Sequence, residues 1–463
     1  VHPLLVRTVL LPLHERLQGR RTLTALRSLE ATQWLAPARV AEIQLARLRE
    51  HLAFAYRHVP YYRRLFDELG IAPSRVQSLG DFKRVPCLTR DQLRAHFADL
   101  KARARLRGVQ RLATGGSTGS PVGVLVDAER MGFGEAIRLR AHRWFSLQPG
   151  AAEVILWASP IEVRKQDRLR VIRDRLLNST LLSAFDLGEA AMARYGRVIA
   201  RARPEKMYGY ASALYLLARY LRATGWRPPG GLKAVFTTAE PLFDFQRRTI
   251  EETFGCPVAT EYGSRDAGLT ANECPAGSLH VPAEGILVEV EGAGPDGLGE
   301  IVVTNLCSPA MPIIRYRTGD LGRLDPTPCP CGRGLPRLKG VEGRRTDFLV
   351  TPDGRVLHAL SVIYVLRETP GLTEFRVTQD SLDRLTAQVV PAGDFPDSSR
   401  KAVRARLQGV LGPTVEVTIE PVPALPPNPA GKFRYVVSEV ADRYLEELLA
   451  GAATGGTNGD GKP

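Results

Sequence analysis

The chemistry in this chain begins with residues 113–123, where Thr114, Gly116, Ser117, Thr118 and Gly119 lie in a glycine and hydroxyl run that leads into the apolar Val124-Leu125-Val126. Glycines at 115, 116 and 119 let backbone N–H groups close on an anion with no Cβ in the way, and the interleaved hydroxyls add donors. The expectation is a phosphate-holding loop, with a plain surface turn as the alternative. No Gly-x-x-x-x-Gly-Lys is present and the run does not fit Gly-x-Gly-x-x-Gly, so neither a P-loop NTPase nor a dinucleotide fold is the first reading.

A second group of residues suits a nucleotide and its counterion. In Glu261-Tyr262-Gly263-Ser264-Arg265-Asp266 the tyrosine can stack on a purine, Gly263 permits close approach, and Asp266 can hold magnesium against phosphate. Asp320, in a turn expected to end the strand that starts near Ile314, is placed to accept two ribose hydroxyls. Two expected strand exits, Tyr208-Gly209-Tyr210-Ala211 and Thr238-Ala239-Glu240-Pro241, offer aromatic, small and acidic groups where open α/β sheets bind ligands. Taken singly, each of these stretches also fits ordinary packing.

Cys274, His280, Cys329 and Cys331 form a third set, of the number and softness that structural zinc takes. Pro330 and Gly332 suit a tight knuckle around the second cysteine pair. The alternative is buried thiols beside a surface histidine.

The elements that must position these groups follow from pattern. With 463 residues and 44% apolar content the chain has material for more than one core. Six cysteines in a chain of this length read as reduced thiols, and no uncharged apolar run reaches the roughly 18 residues of a membrane span, so the expected location is cytoplasmic. The formal charge of +14 favours anionic partners such as nucleotides, a phosphorylated cofactor or an acidic carrier protein. The densest basic run, residues 164–175, lacks the aromatic interleaving of a single-strand nucleic-acid platform, and no nucleic-acid partner is expected. Residues 1–110 read as a helical leader, with a capping box at Thr89-Arg90-Asp91-Gln92. Short β-rich runs then alternate with helical ones, starting at Val124, which predicts an α/β domain with a substantially parallel sheet over 111–343. A compact α+β unit follows at 344–450, carrying Lys432 after a proline-rich approach, and 451–463 reads as a disordered tail.

The order of the glycine and hydroxyl loop, Ala239-Glu240-Pro241, Tyr262-Gly263, Thr318-Gly319-Asp320 and Gly431-Lys432 resembles that of adenylate-forming enzymes, in the phenylacetate-CoA ligase branch. Tyr262-Gly263-Ser264-Arg265-Asp266 and Ala310-Met311-Pro312-Ile313-Ile314-Arg315-Tyr316 are closest to the capsular-polysaccharide-associated ligase-like proteins, and more distantly similar to synthetases that adenylylate a deazaflavin coenzyme. The resemblance spans roughly residues 110 to 435. It implies that Ser117, Thr118 and Gly119 contact the β and γ phosphates of ATP, that Ala239, Glu240 and Pro241 lie beside adenine, and that Tyr262 stacks on it. Asp266 takes the magnesium position, Asp320 binds ribose, and Arg344 sits beside ribose and phosphate. The interdomain hinge falls at Thr346 or Asp347, and Lys432 reaches the substrate carboxylate and α-phosphate from a mobile lid.

The implied reaction is ATP-dependent activation of a carboxylic acid, aryl or arylacetic by default, followed by transfer to coenzyme A. Tyr208, Tyr210 and Ala211 are the expected acid-binding residues. The alternatives are transfer to an amine, a hydroxyl or a carrier-protein thiol, AMP transfer itself, or a non-catalytic nucleotide-binding protein.

Overall fold

The computed structural model describes residues 1–113, 123–157, 168–184, 189–344, 348–353, 356–358, 360–425 and 435–441. The phosphate-loop residues Thr114, Gly116, Ser117, Thr118 and Gly119, the hinge candidates Thr346 and Asp347, Lys432, and the tail 451–463 lie outside the described residues. The chain divides into two compact units. The first comprises 1–290, 301–318 and 323–341, and the second 291–300, 319–322 and 342–463.

The first unit is built on a mixed sheet. At its centre are β3 (Glu153–Trp157), β4 (Ser179–Ser183), β5 (Lys206–Tyr210), β6 (Ala234–Thr238) and β7 (Val258–Ser264), in the spatial order β4-β3-β5-β6-β7. All four neighbouring pairs are parallel. Their connections run through helices such as Glu189–Ala202, Ala211–Ala223 and Asp244–Phe254, which is the alternation legible in the sequence. Strand β6 is buried at every position, as a parallel strand covered on both faces must be. Beyond β7 the sheet turns antiparallel through β8 (Gly268–Glu273) and β9 (Leu279–His280). It continues to β13 (Arg337–Arg344), β12 (Ile313–Asp325), β11 (Gly299–Asn305) and β10 (Ile286–Glu291).

Two expectations are corrected here. Val124–Val126 is not a strand of the parallel sheet: among the described residues β2 (Gly123–Val126) pairs only with β1 (Gln110–Ala113), and antiparallel. Asp320 is not at a strand end either. Strand β12 carries on through Thr318-Gly319-Asp320, with Gly319 at φ +75° absorbing the local irregularity that a turn was expected to supply.

The helical leader packs on the antiparallel half of the sheet. Leu48, Leu52, Tyr62 and Phe66 join Val124, Ile286, Ile301 and Ile313 in one apolar core. Polar pins fix the register. The Tyr62 hydroxyl donates to Pro312 O (3.0 Å), and Leu88 N donates to Arg315 O (2.8 Å) while Arg317 N donates to Leu88 O (3.0 Å). Arg315, 4% exposed and at φ +48°, donates to the Lys83 and Val85 carbonyls and to Glu289.

The second unit centres on β16 (Leu372–Ser381), β17 (Arg384–Pro391), β18 (Glu416–Pro421) and β19 (Val436–Ser438), in the order β18-β17-β16-β19. Helices Leu360–Arg367 and Asp397–Leu411 complete an α+β unit; Phe375, Val377 and Gln379 of β16 and Leu385, Ala387 and Val389 of β17 are buried in alternation, the period-2 pattern of a sheet with one covered face. Strand β19 pairs parallel with β16, so residues 435–441 are held by the same sheet.

Candidate active site and metal centre

The carboxyl ends of β5, β6 and β7 lie side by side, since Tyr210 pairs with Thr238 and Thr238 with Glu261. Three of the expected stretches therefore converge at one sheet edge, where ligands of open α/β folds sit. Ala239 leaves β6 at φ +65°, a left-handed conformation costing on the order of 1 kcal/mol or more for a residue with a Cβ, and both it and Pro241 are exposed. Glu240 accepts from Ser212 N (2.9 Å), tying this loop to the first turn of helix Ala211–Ala223. Tyr262 is half-buried and its hydroxyl donates to Thr318 Oγ1 (3.4 Å). Gly263 is required by the fold: a Cβ there would stand 2.5 Å from Gly268 O and 2.9 Å from Leu269 Cα across the β7–β8 hairpin.

Asp266 is 7% exposed and committed to the protein. Its Oδ1 accepts from the Ser264 hydroxyl and from Ala267 N, and its Oδ2 from the Tyr316 hydroxyl (2.7 Å). These donors take three of the roughly four lone-pair sites of the carboxylate, so a magnesium ion or one of its waters could be met on Oδ2 without displacing them. Asp320 is half-buried in the second unit, where Gly319 N donates to Glu300 (3.2 Å). Arg344 closes β13 and its side chain lies outside the described residues.

A cavity of about 290 Å³ opens beside these strand ends. Helix Ala128–Arg143 supplies much of its wall, including Phe133, Gly134, Glu135 and Arg138; Tyr208, Glu261, Arg265 and Leu269 complete it. The helix is aimed by Asp127, whose Oδ1 caps Glu129 N and Arg130 N and whose Oδ2 accepts from Ala310 N (2.8 Å). Arg130 then clamps the β7–β8 turn by donating to the carbonyls of Arg265 (2.9 Å) and Asp266 (2.7 Å). Of the expected acid-binding residues, Tyr208 lines this cavity. Tyr210 and Ala211 are 3% and 0% exposed; Tyr210 stacks on Trp157 with ring centroids 4.4 Å apart, and neither lines the cavity.

Charged residues that the sequence reading passed over run behind the cavity. Arg138 binds Glu135 through two bonds (3.0 and 2.9 Å) and stands 3.7 Å from Glu153. Lys206 Nζ is 2.8 Å from Glu153 and 3.1 Å from His142 Nδ1. A lysine can only donate, so Nδ1 accepts and the imidazole proton lies on Nε2, 3.5 Å from Glu261 Oε1. Burial, helped by Lys206 and Arg138, holds the His142 pKa well below its ordinary value, so the ring is neutral. Burial opposes ionisation of Glu153 as well, but Lys206 and Arg138 pull its pKa down to about 2. Burial pushes Glu261 up to about 7 despite Arg138. The only sequence-level signal of this network is charge within apolar strands, as at Glu153 and Lys206.

The metal set is brought together as expected. One ligand atom from each of Cys274, His280, Cys329 and Cys331 lies within 4.8 Å of all the others. Zinc–sulfur bonds of about 2.3 Å in a tetrahedron place two sulfurs about 3.8 Å apart. Cys274 Sγ and Cys329 Sγ are 3.8 Å apart, and Cys331 Sγ is 3.2 Å from His280 Nε2. Gly277 N donates to Cys274 O (2.8 Å) and Gly332 N to Cys329 O (3.0 Å), with both glycines at positive φ, which gives each thiol a knuckle-like turn. Burial lowers the His280 pKa to about 4 and leaves it a neutral donor. The donor set and its spacing fit zinc.

Known proteins bear on this geometry. Residues 349–439 match the family model of the CapK C-terminal domain. Protein CapK of Staphylococcus aureus is 22% identical over 404 residues, covering 86% of this chain and 89% of that protein. Phenylacetate-coenzyme A ligase of Thermus thermophilus is 26% identical over 434 residues, covering 85% of this chain and 95% of its own length. The crystal structure of 2-hydroxyisobutyryl-CoA ligase bound to an acyl-adenylate superposes with a TM-score of 0.71 at 23% identity, over 91% of this chain and 94% of that one. This chain is therefore a homologue of Protein CapK and of the phenylacetate-CoA ligases, with the fold of an adenylate-forming ligase and a CapK C-terminal domain.

Proposed function

We propose that this protein is an ATP-dependent acid–thiol ligase, which joins a carboxylic acid to AMP and then passes the acyl group to the thiol of coenzyme A. The observation that carries the reading is the convergence of Tyr208, the Ala239-Glu240-Pro241 loop and Glu261-Tyr262 on one strand edge beside a cavity sized for a small acid, in a chain that aligns over 95% of the phenylacetate-coenzyme A ligase of Thermus thermophilus. In the first step a carboxylate oxygen attacks the α-phosphorus of ATP and pyrophosphate leaves. In the second the coenzyme A sulfur attacks the acyl carbonyl and AMP leaves. Neither step needs a protein nucleophile, so catalysis lies in positioning and in charge placed where it develops.

Within this reading the run from Thr114 through Gly119 holds the phosphates, Tyr262 stacks on adenine, Asp320 takes the ribose hydroxyls, and Arg344 and Lys432 meet the phosphate and carboxylate charge. Magnesium would neutralise charge on the ATP phosphates, and Asp266 is the carboxylate that would hold it there, directly or through a water. Residues 344–450 act as a lid hinged at Thr346 or Asp347. Zinc on Cys274, His280, Cys329 and Cys331 is structural, because four protein ligands close the coordination sphere. A carrier-protein thiol is the second acceptor to test, given the formal charge of +14. No helix among the described residues is long and apolar enough to cross a membrane, and we place the reaction in the cytoplasm, where ATP and coenzyme A are found.

The test is ATP–pyrophosphate exchange over a panel of carboxylic acids, followed by thioester formation when coenzyme A is added. Acid-dependent exchange is expected. Tight ATP binding without exchange for any acid would favour a nucleotide-binding protein instead.

A further inference from the structure

Glu261 is 3% exposed; it meets the Tyr208 hydroxyl and has His142 Nε2 nearby, but among the described residues it forms no ion pair with an arginine or lysine. It nevertheless lines the cavity. The groups facing it are the Tyr208 hydroxyl, His142 Nε2 at 3.5 Å from Oε1, and the Arg138 guanidinium. Arg138 and Lys206 are already matched by Glu135 and Glu153, and His142 is neutral. An ionised Glu261 is thus the one carboxylate of this cluster with no cation of its own. Leaving such a group buried costs stability unless something else pairs with it. Arg265 shares the wall, as does Arg130, which is committed to the Arg265 and Asp266 carbonyls; the rest is largely apolar, from Phe133, Ile137 and Leu269, so a donor on what enters the cavity is a fitting partner for Glu261. Gly134 also lines the cavity, and a Cβ there would meet nothing within 4 Å, although glycine in the middle of a helix is unfavourable.

We propose that Glu261 is a specificity-determining residue that accepts a hydrogen bond from an amino or hydroxyl group on the acyl portion of the acid, a protonated amine being the best match by charge. The inference rests on the ligase reading for the identity of the ligand as an acid. It replaces a plain aryl or arylacetic substrate with one that carries a donor at the far end from its carboxylate. Sites built to bond a substrate donor reject the analogue that lacks it, because the buried acceptor is then left unpaired.

The test uses two trios of near-isosteric acids: para-aminomethyl-, para-hydroxymethyl- and para-ethylbenzoate, and hexanoates ending in an amine or hydroxyl beside heptanoate. Binding is measured by calorimetry and exchange of ATP with pyrophosphate is measured in parallel. Wild-type protein is expected to bind the donor-bearing acids about tenfold to a hundredfold more tightly than the apolar isostere. Glu261→Gln should retain the hydroxyl preference and lose the extra preference for the amine, and Glu261→Leu should abolish or invert both. Gly134→Leu should weaken all members of a trio together by filling the cavity. Equal binding of isosteres by wild type, a preference that survives in Glu261→Leu, or no binding of either trio would overturn the inference. Donor-dependent binding without exchange would leave it standing and remove the ligase reading; exchange at equal rates for all three members of a trio would do the reverse.

Discussion

Replacing Glu261 with glutamine keeps the side-chain shape and removes one buried carboxyl, and the consequence for stability depends on pH. Burial raises this carboxyl from its ordinary 4.5 to about 7 in the folded protein. Between those values the folded state binds a proton that the unfolded state has released, so folding is favoured at the acid end and the contribution is lost as pH rises through 7. A shift of that size corresponds to on the order of 3 kcal/mol. The neighbours bear on the sign: His142 is depressed and gives a slope of the opposite sign, Arg138 stays charged, and Glu135, Glu153, Lys206 and Tyr208 complete the shell. Comparing wild type with Glu261→Gln cancels these contributions to first order. The difference in Tm between the two should be small near pH 5 and should grow in favour of the glutamine variant to a few °C by pH 8.5. A difference that is flat with pH would mean that Glu261 is paired or solvated, and would refute both the burial argument and the charge balance behind it.

Metal analysis of protein purified without added metal should find about one zinc per chain, and chelation or Cys329→Ser should lower Tm; well-folded protein lacking metal would return the four residues to ordinary packing. Arg315→Ala removes the buried ion pair to Glu289 and the bonds to the Lys83 and Val85 carbonyls, so a loss of about 3–5 kcal/mol is expected in urea denaturation. A loss under about 1 kcal/mol would show that the leader is held by its apolar core alone. For Lys432→Ala, adenylate formation should fall roughly a hundredfold, about 3 kcal/mol of transition-state stabilisation, while transfer from a supplied acyl-adenylate stays nearly intact. An equal fall in both half-reactions would remove the lysine from adenylation and the lid from the account.

What could be read in advance was what is local. Strand β6 at Ala234–Thr238 and the Thr89 capping box, with Thr89 N to Gln92 Oε1 at 2.9 Å and the reciprocal bond at 3.2 Å, follow from contiguous patterns. The C-terminal strands and helices were equally legible, because alternation and helical spacing are properties of short windows. The metal ligands were legible by residue type, although only folding brings Cys274 within 3.8 Å of Cys329. Pairing partners were not legible. Nothing in Gly123–Val126 tells that it pairs with Gln110–Ala113 instead of joining the parallel sheet, and nothing in Thr318-Gly319-Asp320 separates a turn from a strand that continues past a glycine. The cluster behind the cavity was hidden for the same reason: Arg138, Glu153, Lys206 and Glu261 are far apart in sequence, and charge within an apolar strand, as at Glu153 and Lys206, is the one local sign of it. Arg315 stood inside a recognised motif and turned out to hold the leader to the sheet.

The central claim is that this chain cleaves ATP between the α and β phosphates to activate an acid. Mass spectrometry of a reaction containing ATP, magnesium and a donor-bearing carboxylic acid, first without and then with coenzyme A, tests it most directly. The account predicts pyrophosphate and an enzyme-bound acyl-adenylate in the first stage, and AMP with the acyl thioester in the second. ADP and inorganic phosphate as products, or ATP that binds and remains intact with every acid, would contradict it.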